Sequence, residues 1–232
     1  MNILNILLIL FHQLLFINII KTNLSTNDLL DDYFLISVSI FGEIYIHHEN
    51  EDEVIKVIIF ESKSSNDYLQ NVKRELSGYD LIKKFYDEEK NIIYRKNICE
   101  ILGFYSTTDN HYYIKMRHCG QNILDLIKNK EYINIPWIEI KSFMNTLNAL
   151  HENRIELRDV KMPNITWNEN LKCLVFIDYG LTNKINDNIK DSGTGYYYSP
   201  YLINNDKEYL NLKNKSIHED RYSTLISLLF FV

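Results

Sequence analysis

Two short loops carry the side chains best suited to chemistry. Residues 157–164 read Leu-Arg-Asp-Val-Lys-Met-Pro-Asn, so Asp159, Lys161 and Asn164 fall together just before an apolar run with strand character. Asp178 comes fourteen residues after Asn164, in Ile177-Asp178-Tyr179-Gly180, at the end of a second such run. Carboxylate and amide oxygens are ligands that a hard divalent cation favours. A lysine among them supplies positive charge for an anionic group. Either loop alone is a weak signal; the two in this order, each beside a strand, are a strong one.

These loops need a scaffold, and 232 residues with 46% hydrophobic and 13% aromatic content can build one. Seven Gly and three Pro argue against a disordered or collagen-like chain. The net charge of −6, without a Lys/Arg run, leaves no footprint for nucleic acid. Cys99, Cys119 and Cys173 are widely spaced and odd in number, which reads as three core thiols rather than a disulfide framework.

The patterning is β-rich first and more helical later. Residues 34–46 and 53–60 are rich in Ile, Val, Phe and Tyr around the polar turn His-His-Glu-Asn-Glu-Asp, a hairpin or meander. Residues 66–86 switch to helical spacing, with Asn66 as the expected cap. Strands are expected at 100–105 and 111–117, helices at 122–129 and 138–152, short strands at 164–167 and 173–177, and a polar loop over 181–192. Residues 3–20 are almost entirely apolar, and charge begins at Lys21. Residues 1–21 therefore read as a signal peptide or anchor, or as a buried helical extension.

The two loops resemble the eukaryotic protein kinase family. Asp159 with Asn164 matches the catalytic loop H-R-D-x-K-x-x-N, and Asp178-Tyr179-Gly180 matches D-F-G. The resemblance implies an α+β, two-lobed fold: a β-rich N-lobe with one main helix over 30–117, and a mostly helical C-lobe over 118–232. It implies ATP and Mg²⁺ as cofactors and a protein substrate. Asp159 would orient the acceptor hydroxyl, Lys161 would neutralise the transferred phosphoryl group, and Asn164 and Asp178 would hold the metal. Lys56, in Glu-Val-Ile-Lys, resembles the strand lysine that holds the nucleotide phosphates, and Glu75, nineteen residues on, resembles its helix partner. Ile36, Gly42 and Ile44 occupy the Gly-rich loop, Val54 and Thr166 the two walls of the adenine slot, and Met116 and Cys119 the hinge. Thr194 would hydrogen-bond around Asp159 and Lys161, and Asp220 would tether the catalytic loop. Lys161 implies Ser/Thr specificity. Phe-Gly-Glu-Ile-Tyr, Asp-Val-Lys, Ile-Asp-Tyr-Gly-Leu and Gly-Gln-Asn-Ile-Leu-Asp-Leu-Ile resemble the casein kinase 1 and vaccinia-related kinase group.

The pattern has departures. Ser37 and Ser39 replace two loop glycines, and Leu157 replaces the usual His. Tyr179 replaces Phe and is expected to stack with Leu157 and Tyr79 in an apolar column; the missing His bond should loosen the loop by ~1 kcal/mol. The chain stops at Val232, where the family fold continues, so an incomplete C-lobe with an apolar helix left for a partner to cover is expected. These features also fit a pseudokinase, a nucleotide-binding or scaffolding module. An unrelated membrane-associated α+β protein is a third reading. The sequons at Asn23, Asn164 and Asn214 bear on compartment. A secretory or anchored chain is expected if residues 1–21 act as a signal or anchor, with glycan on Asn164 blocking its metal role; otherwise the chain is cytoplasmic.

Arg158 invites an acidic partner, and Asp187 or Asp191 is expected to supply one without phosphorylation. Asp187→Asn combined with Asp191→Asn should then lower activity; unchanged activity would sink the idea.

Overall fold

The computed structural model describes residues 19–39, 42–58, 65–109, 111–131, 134–185, 194–204 and 215–229. The first 18 residues of the apolar N-terminal segment, and Asp187 and Asp191, lie outside these. The chain divides into two compact units, Met1–Asp80 with Glu100–His118, and Leu81–Cys99 with Cys119–Val232.

The first unit is a six-stranded sheet. Its elements are β1 (Ile19–Lys21), α1 (Thr26–Leu30), β2 (Tyr33–Ser39), β3 (Gly42–His47), β4 (Glu53–Ile58), the start of α2 (Ser65–Asp87), β5 (Ile101–Ser106) and β6 (Tyr112–Arg117). Strand order is β1-β5-β6-β4-β3-β2. β2, β3 and β4 form the expected meander, and β4 then pairs antiparallel with β6. β4 is buried along almost its whole length, which is why it reads as an apolar run, Val-Ile-Lys-Val-Ile, interrupted by Lys56. Ile55, Val57 and Tyr113 pack with Leu29, Leu30 and Tyr105 on one face of the sheet. β1 and α1 are additions to the sequence reading. β1 pairs parallel with β5 through Ile19–Phe104 to Lys21–Ser106, and Ser25 and Asp28 close a capping box on α1. Both are too short to show a period. Asn66 lies inside α2 rather than capping it.

The second unit holds the rest of α2, a 3₁₀ segment Glu89–Asn97, β7 (Gln121–Asn122), α3 (Ile123–Lys128), α4 (Trp137–Glu152), β8 (Ile155–Glu156), β9 (Ile165–Asn168), β10 (Cys173–Phe176), β11 (Asn183–Lys184), α5 (Pro200–Ile203) and α6 (Lys215–Leu228). Asn122 caps α3 by accepting from the Asp125 amide at 2.9 Å. α4 lays Ile140, Phe143, Leu147 and Leu150 into the core, with Phe143 stacked on Phe176 at 3.9 Å. Asn97 is buried at the end of the 3₁₀ segment. Its amide donates to Leu174 O at 2.7 Å and accepts from Ser142 and Thr146. The inner face of α6 is mostly small and polar: beside Leu228, Ser223, Thr224 and Ser227 are buried, and their hydroxyls bond back to carbonyls one turn earlier. Leu225 and Leu229 are exposed. The three cysteines are free and buried. Among the described residues no helix is long and apolar enough to cross a membrane.

Gly120 leads into β7 with φ +93°, and a Cβ there would sit 2.2 Å from the Trp167 carbonyl oxygen. Gly120→Ala should destabilise the fold by about 2 kcal/mol or more, read as a lowered urea midpoint. An unchanged midpoint would show that the β7–β9 contact yields freely.

Candidate active site

In the first unit, β4 and α2 bring two opposite charges together out of water. Lys56 Nζ donates to Glu75 Oε1 at 2.6 Å, with side-chain exposures of 4% and 5%. Two further β4 residues follow Lys56, so it lies inside the strand. Tyr79, one turn beyond Glu75, accepts from Lys56 Nζ at 3.2 Å, and its ring lies 5.3 Å from the ammonium. The residue expected in an apolar column therefore has a polar duty. A buried pair of this kind is weak evidence for stability, because desolvation offsets most of the attraction. It is better explained as a lysine held in one place for use.

The nucleotide-side residues are distributed along the same sheet. Val54 and Met116 are buried register partners across β4 and β6, and Ile44 stands opposite Lys56. Ile36 sits at the irregularity in the β2–β3 register and is half exposed. Gly42 approaches β4 so closely that a Cβ would lie 2.3 Å from the Val57 carbonyl oxygen, so a glycine is required there for space.

In the second unit, the loop between β8 and β9 gathers the catalytic-loop side chains. Thr194 Oγ1 donates to Asp159 Oδ1 at 2.7 Å and accepts from Lys161 Nζ at 2.9 Å. Lys161 also pairs with Asp159 Oδ2 at 2.7 Å. Asn164 Nδ2 donates to the Asp159 carbonyl at 2.9 Å and to Oδ2 at 3.2 Å. Spending its nitrogen this way leaves the amide oxygen of Asn164 as the acceptor. The Ile177 amide donates to Asn164 O at 3.2 Å, which ties the Asp178 loop to the catalytic loop. Asp178 Oδ1 accepts from the Gly180 amide at 3.2 Å. Thr166 is buried in β9 with an unpartnered hydroxyl, and Cys119 is buried just ahead of β7.

This donor set suits Mg²⁺. Among the described residues no cluster of three His, Cys, Asp or Glu side chains offers an all-protein cage. One carboxylate (Asp178) and one amide oxygen (Asn164) are what Mg²⁺ takes from protein when phosphates supply other ligands.

Asp220 on α6 holds the loop from below. Its carboxylate accepts from the Leu157 and Arg158 amides, each at 2.7 Å, and meets His151 Nε2 at 3.0 Å. The tether uses backbone donors, which leucine supplies as well as histidine. Arg158 needs the support, since its φ of +71° is a strained conformation for a non-glycine residue. Tyr179 is buried, and its hydroxyl donates to Phe176 O and accepts from the Cys99 amide. Sequence reasoning passed over His151; the available signal was an imidazole on the apolar face of α4, one residue past Leu150. It also passed over Glu156, a buried acid whose Oε1 lies 3.5 Å from Arg158 Nε.

Residues 40–223 match the family model of the protein kinase domain. The chain is 27% identical over 153 residues to the dual specificity protein kinase zakA of Dictyostelium discoideum, covering 58% of this chain and 20% of that protein. It is 27% identical over 165 residues to the dual specificity protein kinase zak2 of the same organism, covering 69% and 25%. The chain thus spans a fifth to a quarter of the length of these curated relatives.

Burial raises the Glu156 carboxyl above its ordinary value of 4.5, against the lowering effects of a Ser216 hydrogen bond and of Arg158. The fold thus favours the neutral acid: this stability is present below the unfolded value and lost as pH rises through the folded one. Glu156→Gln should gain stability relative to wild type as pH climbs from 4.5. Urea midpoints of the two proteins that run parallel with pH would contradict this.

Proposed function

The chain belongs to the eukaryotic protein kinase family, and on that premise we propose that it transfers the γ-phosphate of Mg-ATP to Ser/Thr hydroxyls of protein substrates. The observation that carries the reading is the closed network of Asp159, Thr194, Lys161 and Asn164, tied through Ile177 to the Asp178 loop. Phosphoryl transfer asks chiefly for positioning and charge neutralisation. Asp159 orients the acceptor hydroxyl and takes its proton. Lys161, already beside Asp159, meets the charge on the transferred group. Asn164 and Asp178 hold the cation, and Lys56, fixed by Glu75, holds the nucleotide phosphates. Bound Mg²⁺ would supply neutralisation of the phosphate oxygens.

Lys161 supports Ser/Thr specificity, although the two Dictyostelium relatives are named as dual specificity kinases. The Phe-Gly-Glu-Ile-Tyr, Asp-Val-Lys and Ile-Asp-Tyr-Gly-Leu segments support a place near the casein kinase 1 and vaccinia-related group. A second reading, a module that binds nucleotide without transfer, rests on Ser37 and Ser39 in the Gly-rich loop.

The test is phosphate transfer from labelled Mg-ATP to casein and to an acidic Ser/Thr peptide, with phospho-amino-acid analysis. Wild type should transfer, and Asp178→Asn should lose at least ~100-fold. Mg-ATP stabilisation of wild type without transfer would favour the second reading. Phosphotyrosine beside phosphoserine would replace Ser/Thr specificity with dual specificity.

A further inference from the structure

Adjacent residues on α6 point their carboxylates at two different segments of the second unit. Successive helical positions diverge by about 100° around the axis. Asp220 takes the catalytic-loop amides. Glu219 takes Ser199: its Oε2 accepts from the Ser199 amide at 2.8 Å, and its Oε1 accepts from the Ser199 hydroxyl. Ser199 is buried and caps α5, its hydroxyl also receiving the Leu202 amide at 3.3 Å. The other end of the same segment is held where Thr194 joins Asp159 and Lys161. Between these anchors lies the 3₁₀ turn Gly195–Tyr197, with Tyr196 95% exposed. Asp159, Thr194, Tyr197, Tyr198, Leu202 and Glu219 line one cavity there.

We infer that Glu219 is a positioning residue: it clamps the end of the 194–203 segment to α6 and so fixes the wall against which a protein substrate presents its hydroxyl to Asp159. The carboxylate holds this segment from the helix side, onto backbone as well as hydroxyl. Both bonds are charge-assisted, and loss of the carboxylate would leave a buried amide without its acceptor. The substrate role rests on the kinase reading above; the clamp itself does not.

The experiment uses the full chain as wild type, Glu219→Ala, Glu219→Gln and Ser199→Ala, with two readouts. Amide hydrogen exchange at residues 195–203 should speed up about tenfold in Glu219→Ala, and less in Glu219→Gln, which keeps an acceptor and a donor. In transfer assays, Glu219→Ala should raise the KM for the protein substrate about tenfold and leave the KM for Mg-ATP unchanged, with Glu219→Gln restoring most of the loss. Unchanged exchange in Glu219→Ala overturns the clamp. Faster exchange with an unchanged protein KM, or with both KM values raised equally, overturns the positioning role. Should Glu219→Ala fail to fold, Ser199→Ala leaves α6 intact and should move the same two readouts by a smaller factor; no movement overturns the proposal. A wild type that transfers no phosphate refutes the kinase reading, and the exchange measurement still decides the clamp.

Discussion

The buried carboxylate of Asp220 is the point on which the catalytic loop hangs. It is 1% exposed and surrounded by donors: two backbone amides and an imidazole. An unpaired carboxylate in that place would be prohibitive, so the loop must come to it. Arg158 keeps its positive φ with its own amide bound to that carboxylate. With the backbone pinned, Asp159, Lys161 and Asn164 have fixed starting points, and Thr194 closes the network above them. The polar inner face of α6 belongs to the same arrangement. Its buried hydroxyls satisfy themselves on the helix, leaving the Asp220 carboxylate to the loop.

The first unit solves a different problem with similar means. Lys56 is a cation inside a strand buried along nearly all its length, and Glu75 and Tyr79 are one helical turn apart so that both reach it. Nothing in hydrophobic packing requires a charge there. Apolar residues of like volume would commonly hold the sheet and helix together as well or better. The pair fixes an ammonium group in one place inside an otherwise apolar core.

Motif order made Lys56, Glu75, Asp159, Lys161, Asn164, Asp178 and Asp220 legible, and periodicity made the meander and the helices α2 and α4 legible. Features built from single long-range contacts were not. His151 and Glu219 look like ordinary helix residues in sequence, and each acquires its partner across tens of residues. Tyr79 and Tyr179 read as apolar because a ring dominates their character, and each spends its hydroxyl on a buried polar group. The parallel strand β1 was hidden for another reason. Three residues carry no period, and their pairing partner lies more than eighty residues away.

The sequence by itself determined the family, the α+β class and the identity of the charged groups, because chemistry selects residue types and chain order preserves their spacing. Tertiary structure alone decided which oxygen meets which hydrogen. Asn164 turns its nitrogen to Asp159, Leu157 gives its backbone amide to Asp220, and Glu219 reaches Ser199 rather than solvent. Hydrogen bonds are directional and short, so their partners are settled by coordinates that only the packed chain supplies.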